Sequence, residues 1–221
     1  MTSVLESLAF QVARTHYQFD KETDGLISLR VLNLRGSQFT HSCRRVNLNQ
    51  FPRYGSVCDS WSHASGSSST SIVTGASTGF GRLVTEYALE NGDIVVATLR
   101  KPFMISDFSN KYPVSQLLVL QLDVSDPAAI TVAFKQAVAS FNRVDVVLNN
   151  AGFFGVGEVE GFSDENSRAM FDTVFWGASN VMKEAVRCFR EINRPMGGQL
   201  LNVSSRTALI PQPGSTVYAA A

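Results

Sequence analysis

The amino-acid sequence predicts an α/β fold. A doubly wound parallel sheet is expected over residues 71–221, incomplete at its C-terminal side and preceded by a poorly ordered extension over residues 1–70. From Ser71 onward, short apolar runs alternate with stretches that carry apolar residues at helical spacing. Nearly continuous apolar strands are typical of a parallel sheet covered by helices on both faces. Short links between the elements indicate βαβ units with right-handed crossovers.

Five strands and four helices are expected in this part of the chain. The strands are short runs rich in β-branched and other apolar residues, over 71–74, 93–99, 116–123, 144–149 and 199–204. Helices are expected over 79–91, irregularly over 102–112, from Pro127 onward and over 163–190. The third of these has a capping residue, Asp126, with proline at its first position, which is a favourable helix start.

Composition and charge argue against several classes of protein. Hydrophobic residues make up 44% of the 221 residues and the formal net charge is zero. Bulk charge therefore indicates no nucleic-acid partner, and no apolar run is long enough to indicate a membrane partner. The start carries Glu6 and lacks a basic segment before an apolar run, so no secretory signal is expected. The odd, widely spaced cysteines, Cys43, Cys58 and Cys188, favour a reducing, cytoplasmic setting over a disulfide framework.

The extension over residues 1–70 has a different character. Between Ser56 and Ser71, eight of sixteen residues are serine, which predicts a flexible linker. Ahead of it, apolar residues between Leu26 and Leu34 are compatible with a short strand, but no domain is evident. We expect the extension to be largely disordered. An alternative is that it is not native to the fold, as a mis-assigned start of the coding sequence would produce.

The extension also contains residues that bear on two other functions, metal binding and nucleic-acid binding. Its potential zinc ligands are His41, Cys43, Cys58 and His63, but the close cysteine pair of a structural zinc site is missing, so no metal site is predicted. Five arginines and no acidic residue lie between Gly25 and Cys58. Contact with nucleic acid is thus an open alternative, less favoured than a solvated segment.

A glycine-rich turn, Thr74-Gly75-Ala76-Ser77-Thr78-Gly79-Phe80-Gly81, links the first strand to the first helix. Glycine allows the backbone to turn tightly and to approach phosphates closely, and a helix N-terminus offers free N–H groups with positive potential. A strand, this turn and a helix are the context in which such a loop binds the pyrophosphate of a dinucleotide. No Gly-Lys-Ser/Thr follows, which excludes a P-loop.

The spacing of these glycines resembles the short-chain dehydrogenase/reductase family, and three further segments extend the resemblance. Leu122-Asp123-Val124 ends the third strand, Asn149-Asn150-Ala151-Gly152 ends the fourth, and Asn202-Val203-Ser204-Ser205 ends the fifth. Tyr218 follows Ser205 by thirteen residues, the usual interval in the family. The resemblance covers residues 71–221 and implies a Rossmann-type fold with its ligands at the carboxyl ends of the strands.

The loop and the resemblance together predict which residues contact a nicotinamide dinucleotide. They are Gly75, Ser77, Thr78, Gly79, Phe80, Gly81, Arg100, Asp123, Val124, Asn150, Ala151 and Gly152. The second strand ends in Ala97-Thr98-Leu99-Arg100-Lys101, where an NAD-preferring site would place an acidic residue. A guanidinium there favours the 2′-phosphate of NADP, so we expect NADP rather than NAD. The alternative is that Arg100 only begins a solvated helix.

The resemblance also implies catalytic roles. Ser205 would hydrogen-bond the oxygen of a small-molecule alcohol or carbonyl substrate, and Tyr218 would pass the proton while hydride moves to or from the nicotinamide. Phe153, Phe154, Val156 and Val159 either line an apolar wall of the substrate site or belong to the core. The stretch from Val96 to Arg100 resembles NADP-preferring hydroxysteroid and retinol dehydrogenases within the family.

The sequence departs from the family in two respects. Val174 stands where the family has a catalytic asparagine. The family's lysine four residues after the tyrosine would come directly after Ala221, and the sixth and seventh strands would follow it. Without them, the strand over 199–204 is expected to have an open edge. A homo-oligomer is expected only if these parts are present.

Three functions are therefore compatible with the sequence. The first is an NADP(H)-dependent oxidoreductase of the short-chain type, or the cofactor-binding portion of one. The second is a dinucleotide-binding protein that has lost catalysis, which Val174 and the missing lysine favour. The third is a truncated fragment that does not fold alone.

Overall fold

The computed structural model describes residues 26–35, 38–47, 68–208, 210 and 212–221, the first two ranges as backbone. Strands are β1 (Leu26–Arg35), β2 (Gln38–Asn47), β3 (Thr70–Thr74), β4 (Ile94–Leu99), β5 (Leu117–Gln121), β6 (Val146–Asn149) and β7 (Gly197–Ser205). The α-helices are α1 (Gly79–Glu90), α2 (Ser106–Lys111), α3 (Pro127–Phe141), α4 (Asp164–Phe171), α5 (Ala178–Arg187) and α6 (Thr216–Ala220). Short 3₁₀ helices cover Pro102–Ile105, Val159–Gly161 and Arg206–Ala208.

The strands form one sheet in the order β2-β1-β7-β6-β3-β4-β5. All neighbours from β7 to β5 are parallel. From β3 the chain runs outward to β4 and β5, then returns to the other side of β3 to form β6 and β7. The predicted doubly wound α/β fold is therefore confirmed, with its topological switch point between β3 and β6.

The extension contributes a β-hairpin to this sheet. β1 pairs with β2 and, on its other edge, runs antiparallel to β7 from Ile27, opposite Ser205, to Arg35, opposite Gly197. The first of these strands lies at the apolar run between Leu26 and Leu34, where the sequence is compatible with a strand. The open edge expected for the strand over 199–204 is instead paired with β1. Backbone N–H and C=O groups at a sheet edge favour pairing with any available strand, which here is β1.

Other predictions for the extension are not addressed by the structure. Residues 1–25 and 48–67, with most of the serine-rich segment, Cys58 and His63, lie outside the described residues. The domain boundary near residue 70 stays a prediction. The first strand of the doubly wound sheet begins at Thr70, one residue before the expected position.

Helices cover both faces of the parallel sheet, and each face has its own apolar core. One core joins the sheet to α1 and α2 through Val84, Ala88, Leu89, Ile105 and Phe108. The opposite core joins it to α3 and α5 through Ile130, Phe134, Ala137, Val181 and Ala185. Burial on both faces explains why the strands are continuous apolar runs rather than alternating ones. In the described ranges, no helix has both the length and the apolar character needed to cross a membrane.

The helix expected over 163–190 is not uniform. Ser163 caps α4 by accepting a hydrogen bond from the N–H of Asn166, and a π-helical segment over Asp172–Gly177 then separates α4 from α5. A second π-helical segment, Cys188–Ile192, follows α5. At Gly177 the helix approaches the turn after β5 so closely that a Cβ would lie 2.9 Å from the carbonyl oxygen of Val124. The helix therefore needs glycine at this position.

Candidate active site

The parallel strands bring most predicted site residues to one edge of the sheet. Because β3, β4, β5, β6 and β7 run in the same direction, their carboxyl ends meet there. In doubly wound sheets, ligands bind outside this edge at the switch point. Here the switch point lies where β3 leads into the glycine-rich turn and β6 leads into the Asn149–Gly152 turn.

The glycine-rich turn is held by close backbone contacts. Gly75 has φ +68° and Gly79 has φ +56°, a left-handed conformation that glycine adopts without strain. A Cβ at Gly81 would collide with the carbonyl oxygen of Gly75 and lie 2.6 Å from Nδ2 of Asn150. The buried residue Ala76 donates its N–H to the carbonyl of Thr98 at 3.1 Å, which attaches the turn to β4.

The start of α1 is suited to an anion. Thr78 is the N-cap residue, yet its side chain accepts no capping hydrogen bond, and the first turn contains no acidic residue. The N–H groups of the first turn lack intrahelical acceptors, and the helix dipole places positive potential there. This arrangement favours binding of a phosphate group.

Thr74 and Asn150 join the two turns at the switch point. The fully buried Thr74 hydroxyl accepts hydrogen bonds from the N–H groups of Asn150 and Ala151, both at 2.9 Å, and is 3.4 Å from the carbonyl of Leu148, to which it donates. In return, the Asn150 side-chain amide donates to the carbonyl of Thr74 at 2.9 Å. These reciprocal bonds leave little freedom for either turn to move.

The ends of β4 and β5 bring Arg100 close to Asp123. The two strands pair up to Leu99, opposite Gln121, so the next residues emerge side by side. Asp123 accepts hydrogen bonds from the backbone N–H and the hydroxyl of Ser125, at 3.0 and 2.7 Å. The backbone bond from Ser125 is the main cause that holds the pKa of Asp123 below its ordinary value, and the positive charge of Arg100 adds to it. Both side chains are exposed.

Sequence reasoning did not assign a role to the first asparagine of the Asn149–Gly152 turn. The buried Asn149 amide donates to Oδ1 of Asn202 on β7 at 2.7 Å and to the carbonyl of Ala178 at 3.0 Å. It therefore connects β7 with the helix that follows the first π-helical segment. The sequence signal for this bond is an asparagine at the end of one apolar strand, Asn149, and another within a second apolar strand, Asn202, where an unpaired amide would be costly.

Ser205 and Tyr218 lie on the β7 side of this region, beyond the switch point. Ser205 is the last residue of β7, is partly exposed, and accepts a hydrogen bond from the N–H of Thr207 at 3.2 Å through its hydroxyl oxygen. Tyr218 is in α6 and is also partly exposed. The ring of Phe154 packs edge-on against the Tyr218 ring, with centroids 4.7 Å apart.

Val174 lies in the π-helical segment, beside the Asn149–Gly152 turn. One of its methyl groups is 3.9 Å from the position that a Cβ on Gly152 would occupy. An apolar side chain thus occupies the place where the sequence comparison with the family expects an amide. Valine offers no hydrogen-bonding group to a water molecule there.

The structure distributes the predicted cofactor residues over the switch point and its neighbours. It brings Gly75, Gly81, Asn150 and Ala151 into direct contact and places Arg100 and Asp123 at adjacent strand ends. Ser77 and Gly79 are partly buried, and Thr78 and Gly152 are exposed. Phe80 packs on the core shared with α1, and Val124 is buried against Gly177.

A parallel sheet of this order, with a glycine-rich turn at its switch point, defines a dinucleotide-binding fold. The model of the short chain dehydrogenase family matches residues 69–221. The chain therefore belongs to the short-chain dehydrogenase/reductase family, whose members are oxidoreductases that bind a nicotinamide cofactor. The hairpin of β1 and β2 lies outside the matched residues.

Curated relatives agree with this assignment. The chain is 37% identical over 150 residues to an uncharacterized oxidoreductase of Schizosaccharomyces pombe, an alignment that covers 68% of the chain and 49% of that protein. It is 31% identical over 150 residues to an NADP-dependent 3-hydroxy acid dehydrogenase of Salmonella typhi, covering 67% of the chain and 59% of that protein. The chain thus spans about half the length of the curated relatives it matches.

Solved structures show the same fold. A short-chain dehydrogenase from Streptomyces avermitilis superposes with a TM-score of 0.65 at 33% identity, covering 71% of this chain and 56% of that one. The closed form of a serine dehydrogenase in complex with NADP⁺ superposes with a TM-score of 0.60 at 29% identity, covering 68% of this chain and 60% of that one.

Proposed function

We propose that the chain belongs to an NADP(H)-dependent oxidoreductase that transfers hydride between the nicotinamide and a small-molecule alcohol or carbonyl compound. The observation that carries the proposal is the shared edge of the sheet. The glycine-rich turn, Arg100 and Ser205 lie at the carboxyl ends of its strands, and the ring of Tyr218 packs against Phe154 in the loop that follows β6. The proposal further places the protein in the cytoplasm.

The residues present fit a dinucleotide. Gly75 and Gly81 are positions where a side chain would fill the space between the turns, so the backbone itself lines the cradle. The uncapped start of α1 supplies N–H groups for the pyrophosphate. Asp123, an exposed carboxylate at the end of the loop after β5 whose pKa the Ser125 N–H holds below its ordinary value, is an acceptor for the adenine amino group.

Selection of NADP over NAD is assigned to Arg100. Its exposed guanidinium, at the end of β4 and beside Asp123, can form a bidentate pair with a 2′-phosphate. Among the relatives, the Salmonella protein and the serine dehydrogenase complex carry NADP in their names. No acidic residue ends β4 to compete with the phosphate.

Ser205 and Tyr218 are assigned to the reaction. The Ser205 hydroxyl accepts a hydrogen bond from Thr207, and its own proton is free to be donated to the substrate oxygen. The Tyr218 hydroxyl delivers a proton to that oxygen in the reductive direction and removes it in the oxidative direction. When bound, the cofactor supplies or accepts the hydride.

A second candidate function is dinucleotide binding without turnover. Val174 favours it, because a valine beside Gly152 cannot hold the water molecule that the family uses to relay protons. The two functions share the cofactor site and differ only in chemistry. Binding and turnover must therefore be measured separately.

The test is a fluorescence titration of the 221-residue chain with NADPH and, in parallel, with NADH. We expect saturable binding with NADPH tighter, and an Arg100→Ala variant that loses about 10- to 100-fold in NADPH affinity, the value of a charged hydrogen bond. NADH affinity should be unchanged in that variant. Lys135→Ala, an exposed lysine on α3, is the matched control.

Three results would count against the proposal. Equal affinity for NADPH and NADH would contradict the assignment of NADP selection to Arg100. Absence of binding to either dinucleotide would contradict the assignment of a cofactor site. Binding without oxidation of NADPH across a panel of aldehydes and ketones would favour the second function over the first. A Val174→Asn variant, which introduces the asparagine found in the family, tests whether the valine causes the absence of turnover.

A further inference from the structure

Arg82 joins the start of α1 to the segment that follows Arg100. It lies in the first turn of α1, directly after the last glycine of the glycine-rich turn. Its Nη1 donates to the carbonyl oxygen of Met104 at 3.2 Å, and its Nη2 binds a carboxylate oxygen of Asp107. The guanidinium carbon lies 4.4 Å from the centroid of the Phe108 ring. A single side chain of α1 therefore contacts three residues of this segment.

The segment over residues 101–108 begins directly after Arg100 and leads through a 3₁₀ turn into α2. Two of its residues, Ile105 and Phe108, are buried in the core shared with α1. The two bonds from the Arg82 guanidinium add a polar attachment on the more exposed side of the same segment. The segment is thus held to α1 by apolar burial on one side and by Arg82 on the other.

These contacts connect two parts of the candidate cofactor site. The start of α1 is the part that we assign to the pyrophosphate, and Arg100 is the residue that we assign to the 2′-phosphate of NADP. Both terminal nitrogens of Arg82 are engaged within the protein, by a backbone carbonyl and a carboxylate. A shift of the segment would move Arg100, the residue at which it begins. Arg82 is therefore suited to fix the distance between the two parts.

A second ion pair joins the same two helices at their other ends. Lys111, at the end of α2, is 3.7 Å from a carboxylate oxygen of Glu90, at the end of α1, and both side chains are 56% exposed. The pair of Arg82 with Asp107 lies at the start of both helices. Exposed ion pairs contribute little to stability. A difference in cofactor binding between the two pairs would therefore report their position relative to Arg100.

We infer that Arg82 is a positioning residue for cofactor specificity, which holds the segment after Arg100 in place and thereby sets the preference for NADPH over NADH. This inference rests on the proposed function, because it takes Arg100 as the residue that selects NADP. The pyrophosphate end depends less on Arg82, because the reciprocal bonds of Thr74 and Asn150 hold the glycine-rich turn. Loss of Arg82 should therefore affect recognition of the 2′-phosphate more than recognition of the rest of the dinucleotide.

The test is calorimetric titration of the 221-residue chain with adenosine 2′,5′-bisphosphate and with adenosine 5′-phosphate, which differ only in the 2′-phosphate. We expect Arg82→Ala to weaken binding of the bisphosphate about five- to tenfold and to leave binding of the monophosphate within about twofold. Arg82→Lys keeps the charge but not the planar fork, so it should recover only part of the loss. Lys111→Ala, which removes the pair at the other ends of the helices, should leave both affinities unchanged.

Asp107→Ala distinguishes positioning from net charge, because the two explanations predict opposite signs. Removal of a carboxylate would strengthen the binding of an anion if net charge alone mattered. Removal of the partner of Arg82 loosens the segment, so we expect binding of the bisphosphate to weaken about two- to threefold. Asp107 is 57% exposed, so this variant also serves if Arg82→Ala fails to fold. Tighter binding in Asp107→Ala, full recovery in Arg82→Lys, or an equal loss in Lys111→Ala and Arg82→Ala would overturn the inference.

Arg100→Ala, titrated with the same two nucleotides, separates this inference from the proposed function. If Arg100→Ala loses the preference for the bisphosphate while Arg82→Ala keeps it, the inference is wrong and the selection of NADP by Arg100 stands. If the preference depends on Arg82 but NADPH reduces no carbonyl compound, the oxidoreductase assignment fails and the inference stands. Equal affinity of the unsubstituted chain for the two nucleotides would contradict both.

Discussion

Two regions at the same edge of the sheet are built in opposite ways. At the switch point, Thr74 is fully buried and forms three hydrogen bonds, and the neighbouring turns approach until only glycine fits at Gly81. At the end of β7, Ser205 is partly exposed and accepts a single described hydrogen bond, and an exposed apolar loop lies beside Tyr218. We call these the cofactor end and the reaction end.

The difference shows what each region requires. A cofactor common to a whole family needs one geometry, which buried and reciprocal hydrogen bonds provide at the cost of tolerance to substitution. A substrate site must vary between relatives, and exposed side chains on a loop vary without disturbing the sheet. Substitutions at the cofactor end should therefore affect folding and binding together, whereas those at the reaction end should affect chemistry with little effect on stability.

The largest effect is expected from Gly81→Ala. Its Cβ would collide with Gly75 and Asn150, so one of the two turns must shift. Overpacking of this kind costs about 1–3 kcal/mol, and NADPH binding should weaken about 10- to 100-fold. Gly161→Ala is the control, because a Cβ there meets nothing within 4 Å. Fluorescence titration measures the NADPH affinity of both variants. Equal NADPH affinities of Gly81→Ala and Gly161→Ala would contradict the close approach of the turns.

An effect of comparable size, on stability rather than on cofactor binding, is expected from Thr74→Val. Valine has nearly the shape of threonine but leaves the N–H groups of Asn150 and Ala151 without their acceptor. Because each unsatisfied buried group costs about 1–3 kcal/mol, the free energy of unfolding should fall by about 3 kcal/mol. Thr74→Ser keeps the hydroxyl, so its free energy of unfolding should fall by less. Urea denaturation measures the free energy of unfolding of the two variants. Equal losses in the two would show that changed packing, and not the missing hydroxyl, causes the effect.

The smallest effect on stability is expected from Ser205→Ala. It removes one hydrogen bond from Thr207 at a partly exposed position, which predicts a loss of about 0.5–1.5 kcal/mol in the free energy of unfolding. NADPH affinity should stay within about twofold of the unsubstituted chain, while any turnover should be abolished. A loss of stability as large as that of Thr74→Val would remove the contrast between the two ends.

Most of the cofactor end is predictable from sequence because its signals are local. The turn Thr74–Gly81 lies between a strand and a helix, and each strand of the parallel sheet is a short apolar run that the structure confirms within a few residues. The bonds of Thr74 and Asn149 were not predicted, because they join residues far apart in the chain.

Two features of the fold had no local signal at all. The π-helical segment over Asp172–Gly177 keeps the apolar spacing of an ordinary helix, so the sequence predicts one continuous helix. Only the close approach of Gly177 to Val124 distinguishes it, and that is a tertiary contact. The pairing of β1 with β7 is equally invisible, because the apolar run over β1 is compatible with a strand but does not indicate its partner, which is distant in sequence.

That antiparallel pairing also constrains the order of events during synthesis. β1 is made before its partner β7, and the strands β3 to β6 all lie between the two in the chain. Contacts of such long range are slow to form because the intervening chain must first be closed into a loop. Until then β1 has only β2 beside it, and an isolated two-stranded hairpin is marginally stable in water. We therefore expect the pairing of β1 with β7 to form later in folding than the local turns of the parallel sheet.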